Sequence, residues 1–170
     1  SHEALFASLF DPPGTYALLS IRNHTVMSDT RMERLTNFAV VREDRGRVLI
    51  AGFGLGMILT AILRKPNVTH VTVVEVNPDV LAAVQGQVEQ YVGRDAAKLT
   101  VHVADIHDWR PATKGRQFDT IYFDIWTDVS TDQLKEMSEL RRAFARYLTT
   151  GGWAACWKQD ILRDAKRRGL

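Results

Sequence analysis

The stretch Val48-Leu49-Ile50-Ala51-Gly52-Phe53-Gly54-Leu55-Gly56 constrains this chain more than any other. A short uninterrupted apolar run reads as a strand buried on both faces. Three alternating glycines follow, and residues 55–64 then read as a helix stopped by Pro66. Glycine permits backbone angles that a side chain disfavours and lets a ligand approach the main chain. The helix opening there presents its free N–H groups to the same place.

From this turn onward the pattern alternates. Further strands are expected over 70–75, 99–104, 118–124 and 153–157, after a first over 47–51. Asn77-Pro78 starts a helix, with Asn77 as cap and proline in the first turn. Leu81, Val84, Val88 and Tyr91 form its apolar face. A helix over 133–147 carries Leu134, Met137, Leu140, Phe144 and Leu148 on one stripe, and Gly151-Gly152 forms the turn before the last strand. Strands alternating with helices require parallel pairing and right-handed crossovers. The fold class is therefore α/β, with a doubly wound, mostly parallel sheet. The turns at 52–56, 75–77, 105–108 and 124–131 then line one crevice.

Residues 46–170 form the core and residues 1–45 a flap beside it, within one domain overall. Within the flap, a short strand is expected over 16–21, and Thr30-Arg31-Met32-Glu33 has capping-box spacing. Leu35, Phe38 and Val41 give the following helix an apolar stripe. His24, near Met27-Ser28-Asp29, is placed within reach of the crevice.

Glu75 ends the second strand 19 positions after Gly56. That suits a carboxylate accepting from two ribose hydroxyls, for which the usual spacing is ~20 residues. The compressed Gly-x-Gly-x-Gly turn fits a mononucleoside without a pyrophosphate. Asp105, after the third strand, is of the type that accepts from an exocyclic adenine amine, with Ile106 against the ring.

These residues resemble the Rossmann-fold S-adenosylmethionine-dependent methyltransferases, and within them the spermidine-synthase-like branch. The likeness runs in order through 48–56, Val71 to Asn77, Ala104-Asp105 and Phe118-Asp119-Thr120-Ile121-Tyr122-Phe123-Asp124. It implies strand order 3-2-1-4-5, with that fold's terminal strand pair not found in this sequence. It implies that Gly52, Gly54 and Gly56, with Phe53 between them, hold the methionine portion. Glu75, with Val76 beside it, holds the ribose, and Asp105 and Ile106 hold the adenine. Asp124 stands beside the cofactor at the branch's catalytic aspartate. Three departures stand out. Ile50 lies where the typical methyltransferase has an acidic residue in its first strand. The two others argue against ordinary spermidine synthesis: Leu55 stands where spermidine synthases usually have an aspartate in the turn, and Asp128 lies four residues past Asp124 rather than three.

The expected activity is a small-molecule methyltransferase using S-adenosylmethionine. Asp124 deprotonates or orients the acceptor, Trp126 stacks on it or faces the sulfonium, and Asp128 binds a cationic acceptor. The alternatives are aminopropyl transfer from decarboxylated S-adenosylmethionine, cleavage or cyclisation of the cofactor itself, or a non-catalytic cofactor-binding subunit. No metal is expected, because His2, His24, His70, His102 and His107 form no ligand-spaced cluster with Cys156.

The net charge of +2 is too small to imply nucleic acid as partner, and Arg163, Lys166, Arg167 and Arg168 read as a solvated helix end. No apolar run approaches the ~20 residues of a membrane span. The given sequence shows no leader pattern, and Ser1-His2 reads as a remnant of tag cleavage. With one cysteine in 170 residues, a cytoplasmic setting is expected. The apolar last strand would be a bare sheet edge, so a homo-oligomer, or cover by the N-terminal segment, is expected.

Overall fold

The computed structural model describes residues 18–21, 24–28, 35–127 and 130–169, with side chains from residue 35 onward. Asp128 and the capping box at 30–33 lie outside the described residues, as do the side chains of His24 and Met27.

Strands β1 (Leu18–Ile21) and β2 (His24–Ser28) pair antiparallel as a separate two-stranded sheet. After helix α1 (Phe38–Glu43) comes β3 (Gly46–Ala51), then α2 (Met57–Leu63) and β4 (Val68–Glu75). Next are α3 (Pro78–Val92), β5 (Leu99–Val103), β6 (Phe118–Phe123) and α4 (Leu134–Phe144). The series ends with β7 (Leu148–Cys156) and α5 (Gln159–Arg167). The main sheet has order β5-β4-β3-β6-β7, and all its pairings are parallel. In core-strand numbering that is the expected 3-2-1-4-5.

The apolar runs of the central strands follow from burial on both faces. Val48, Leu49, Ile50 and Ala51 are buried, as are Val71, Val73 and Val74. Helix α2 packs between α1 and α3, while α4 packs against α5 and β7. Asn77 caps α3 by accepting from the Asp79 N–H at 2.9 Å, with Pro78 as the first helical residue.

Several local expectations are corrected. Leu35 and Phe38 are exposed, and Asn37 and Val40 turn inward instead. Asn37 accepts from the Tyr122 hydroxyl at 2.8 Å, and Thr36 accepts from the Trp157 indole at 3.0 Å. These buried polar tethers, rather than an apolar stripe, set the face of α1. Tyr91 is exposed beneath the Arg64 guanidinium, because the inward row of α3 runs Val84, Val88, Val92. Leu148 leaves the α4 stripe and begins β7, five residues before the expected strand. The Gly151-Gly152 turn lies inside that strand: Phe118 pairs with Leu148 and Thr120 with Trp153, so residues 149–152 bulge opposite Asp119.

The crossover from β5 to β6 contains no helix. Trp109 takes that place, stacked on Phe144 with ring centres 6.5 Å apart, and the Arg110 guanidinium also lies over the Phe144 ring. No described helix is long and apolar enough to cross a membrane.

Candidate functional site

The carboxyl ends of β3, β4, β5 and β6 lie side by side at the point where strand order reverses, so the loops that leave them share one crevice. A cavity of about 430 Å³ opens there. From the loops it takes Gly52, Gly54, Glu75, Val76, Asp105, Ile106, Asp124 and Trp126.

Gly52 has φ +100°, and a Cβ on it would stand 2.2 Å from the Asp124 carbonyl oxygen. The turn after β3 therefore lies directly against the loop after β6, which no side chain at residue 52 would allow. Gly56 serves a different purpose. It caps α2 at φ +75°, and a Cβ there would meet Val88 at 2.3 Å, so its absence lets α3 approach. Gly56 does not line the cavity, and neither does Phe53. Phe53 is buried, and its backbone serves the site instead.

That backbone N–H donates to Glu75 Oε2 at 2.8 Å, while the Asn77 N–H donates to Glu75 Oε1, also at 2.8 Å. Glu75 is only 8% exposed, so two backbone donors hold an otherwise costly buried carboxylate. Each oxygen retains lone-pair capacity for a further donor from the cavity. The Glu75 main chain accepts from the Ala104 N–H at 3.0 Å, which ties the β4 and β5 loops together.

Asp105 is half-exposed, and its Oδ1 is engaged by the turn itself. It accepts from the His107 backbone N–H at 2.9 Å and lies 2.7 Å from His107 Nδ1. The backbone bond, then the ring bond, hold the Asp105 carboxyl below its ordinary range. Ile106 is buried and gives the cavity an apolar wall. Trp126 is buried as well, and its indole Nε1 donates to Glu136 Oε2 at 2.9 Å. The other Glu136 oxygen lies 2.8 Å from His107 Nε2. Partial burial of His107 opposes its charged form, but hydrogen bonds and attraction from Asp105 and Glu136 outweigh this and raise its pKa.

His107 and Glu136 line the cavity, and the sequence reading gave neither a role there. In sequence, His107 presents only as a candidate metal ligand. Glu136, in the first turn of α4, carries no signal apart from following the candidate loop. Among the described residues, no group of three or more His, Cys, Asp or Glu side chains is placed to hold a metal ion. His102 instead packs on Trp109, with ring centres 5.3 Å apart. The basic cluster of α5 is largely ion-paired, Arg163 to Asp160 and both Arg167 and Arg168 to Asp164.

No family model and no curated protein matches the chain. Its fold is similar to several solved structures. With the 4+2 cyclase SpnF it shares 25% identity over 72% of this chain and 43% of that one, at a TM-score of 0.52. For a spermidine synthase from Thermotoga maritima the identity is 21%, covering 74% and 44%, at a TM-score of 0.54. For an S-adenosylmethionine-dependent methyltransferase from Clostridium acetobutylicum it is 17%, covering 74% and 50%, at 0.50. The chain spans about half the length of these structures. The sheet order and these likenesses give the chain the Rossmann-like fold of the methyltransferase superfamily.

Proposed function

We propose that this chain binds S-adenosylmethionine in the crevice above β3 and β4 and transfers its methyl group to a small-molecule acceptor. One observation carries the reading. A single cavity collects the glycine turn, a doubly anchored Glu75, the Asp105-Ile106 turn and the Asp124-to-Trp126 loop.

The residues fit such a group. The cavity volume lies in the usual range for small-ligand sites. Glu75 offers acceptor capacity to a ribose diol, Ile106 an apolar surface to a purine, and the glycine turn a main chain open to close approach. When bound, the cofactor supplies an electrophilic methyl on a sulfonium. Asp124 would orient the acceptor and take its proton. Trp126 offers an aromatic face, worth ~0.5–2 kcal/mol against a cation. Holding the partners in line contributes ~7–11 kcal/mol in well-oriented systems.

A second reading, aminopropyl transfer from the decarboxylated cofactor, is favoured by the charge of the cavity. Its described lining includes the carboxylates Glu75, Asp105, Asp124 and Glu136, and no Lys or Arg. That setting suits a ligand without a carboxylate of its own. Titration calorimetry with S-adenosylmethionine, its demethylated product and its decarboxylated form tests both readings. Heat with none of the three would overturn both, and preference for the decarboxylated form selects the second. Product analysis without acceptor detects cleavage of the cofactor. We also propose self-association through β7, which stands at the sheet edge; a monomer in small-angle scattering would remove it.

A further inference from the structure

Both ring nitrogens of His107 face carboxylates from different elements. Nδ1 lies 2.7 Å from Asp105 Oδ1, on the loop after β5, and Nε2 lies 2.8 Å from Glu136 Oε1, on α4. Glu136 holds Trp126, on the loop after β6, through its second oxygen. Four residues from three elements thus form one continuous hydrogen-bonded wall of the cavity.

A neutral imidazole has one N–H donor and one bare lone pair. It satisfies one of these carboxylates and sets its lone pair against the other. The imidazolium has two donors and satisfies both. The Asp105 contact is reinforced by the His107 backbone N–H, so proton loss releases the ring from Glu136 rather than from Asp105.

We propose that His107 and Glu136 are positioning residues of the cavity, clamping Asp105 and Trp126 into one wall that closes only while His107 carries its proton. The charged groups around the ring agree with this assignment. Asp105 faces it from its own turn and Glu136 from α4, while Asp124 lines the same cavity from the loop after β6. The Arg110 guanidinium is directed elsewhere, to the carbonyl oxygens of Ile106, His107 and Trp109. The His107 pKa is raised above its ordinary 6.5, so the ring keeps the closing proton to higher pH than a free imidazole does.

Glu136→Gln separates positioning from bulk structure. Its amide oxygen still accepts from Trp126, while its amide N–H donates to the bare Nε2 of a neutral His107. The wall then stays closed without the extra proton. Nitrogen-resolved NMR of the free protein reads this directly, with the Trp126 indole signal assigned through Trp126→Phe. In the wild type, that signal is expected to move with the His107 titration, at a midpoint above 6.5. In Glu136→Gln the amide N–H opposes a protonated Nε2, so the signal is expected to move only in more acid solution, at a midpoint below that of the wild type. A wild-type indole that ignores the titration, or a Gln variant with a midpoint at or above the wild type's, would overturn the proposal.

The ligand arm rests on the nucleoside reading above. Calorimetry with the demethylated product should show affinity falling about tenfold across the titration in the wild type, within the usual range for coupled sites. Glu136→Gln should lose no affinity as pH rises across the wild-type midpoint, and Glu136→Ala should be weak throughout. Equal wild-type affinity at every pH counts against the proposal. Absence of heat at any pH counts against the nucleoside reading alone, and the indole signal still decides the wall.

Discussion

Phe53 and Glu75 are joined across 22 positions of sequence by a 2.8 Å bond from a backbone N–H to a buried carboxylate. The acid placed to bind a ligand therefore also fastens the glycine turn. Glu75→Gln sets an amide N–H₂ near one of the backbone donors. We expect a stability loss of about 1–3 kcal/mol, as for other buried groups left unpaired. Urea unfolding measures it. Nucleoside affinity should fall as well, by calorimetry, and an unchanged affinity would remove Glu75 from the ligand site.

Two glycine substitutions should act in opposite directions. Gly52→Ala drives a methyl into the Asp124 carbonyl at a backbone angle that alanine avoids, so it should destabilise the fold and abolish nucleoside binding. Gly86→Ala, on the exposed face of α3 with nothing within 4 Å, should stabilise by about 0.5–1 kcal/mol. Thermal unfolding of both variants decides the comparison.

The His107 bridge gives a defined pH window. Its pKa is raised, so its contribution to stability is complete below the ordinary 6.5 and is lost as pH rises through the raised value. The Asp105 pKa is lowered, so its contribution is present above the ordinary 3.8 and is lost as pH falls through the lowered value. His107→Gln should therefore cost most between the two ordinary values and progressively less as pH rises through the raised His107 value. Paired urea titrations in acid and alkaline buffer check the sign.

Asp124→Asn should keep nucleoside affinity within a few-fold while abolishing turnover, once an acceptor is identified. Undiminished turnover would take Asp124 out of the mechanism.

Burial pushes the Cys156 thiol up to about 12. Its Sγ–H points to the Met137 carbonyl oxygen. A disulfide reagent should label it only as fast as the protein opens, and labelling should accelerate in denaturant. Rapid labelling of the native protein would contradict the packing around β7.

The sheet was legible because its central strands are covered on both sides, which forces unbroken runs such as Val48 to Ala51. Asn77-Pro78 was legible because cap and ring act locally. Tyr91, Leu35 and Phe38 were misplaced because a periodic pattern admits neighbouring faces, and tethers such as Tyr122 to Asn37 choose between them over 85 positions. Glu75 and Asp105 are expected at the crevice from the loops that carry them, and both line the candidate cavity. The linkage of His107 to Glu136 joins positions 29 apart on separate elements, which no spacing rule reports. At the final turn of α3 it is Val92, and not Tyr91, that joins the buried row.

The bulge in β7 has a consequence beyond the molecule. Four residues, 149–152, lie opposite Asp119 alone, so the outer border presents a regular run of main-chain groups only from Trp153 to Cys156. Any strand added there would have a single short register, so an interrupted border of this kind offers poor purchase to an endless ribbon.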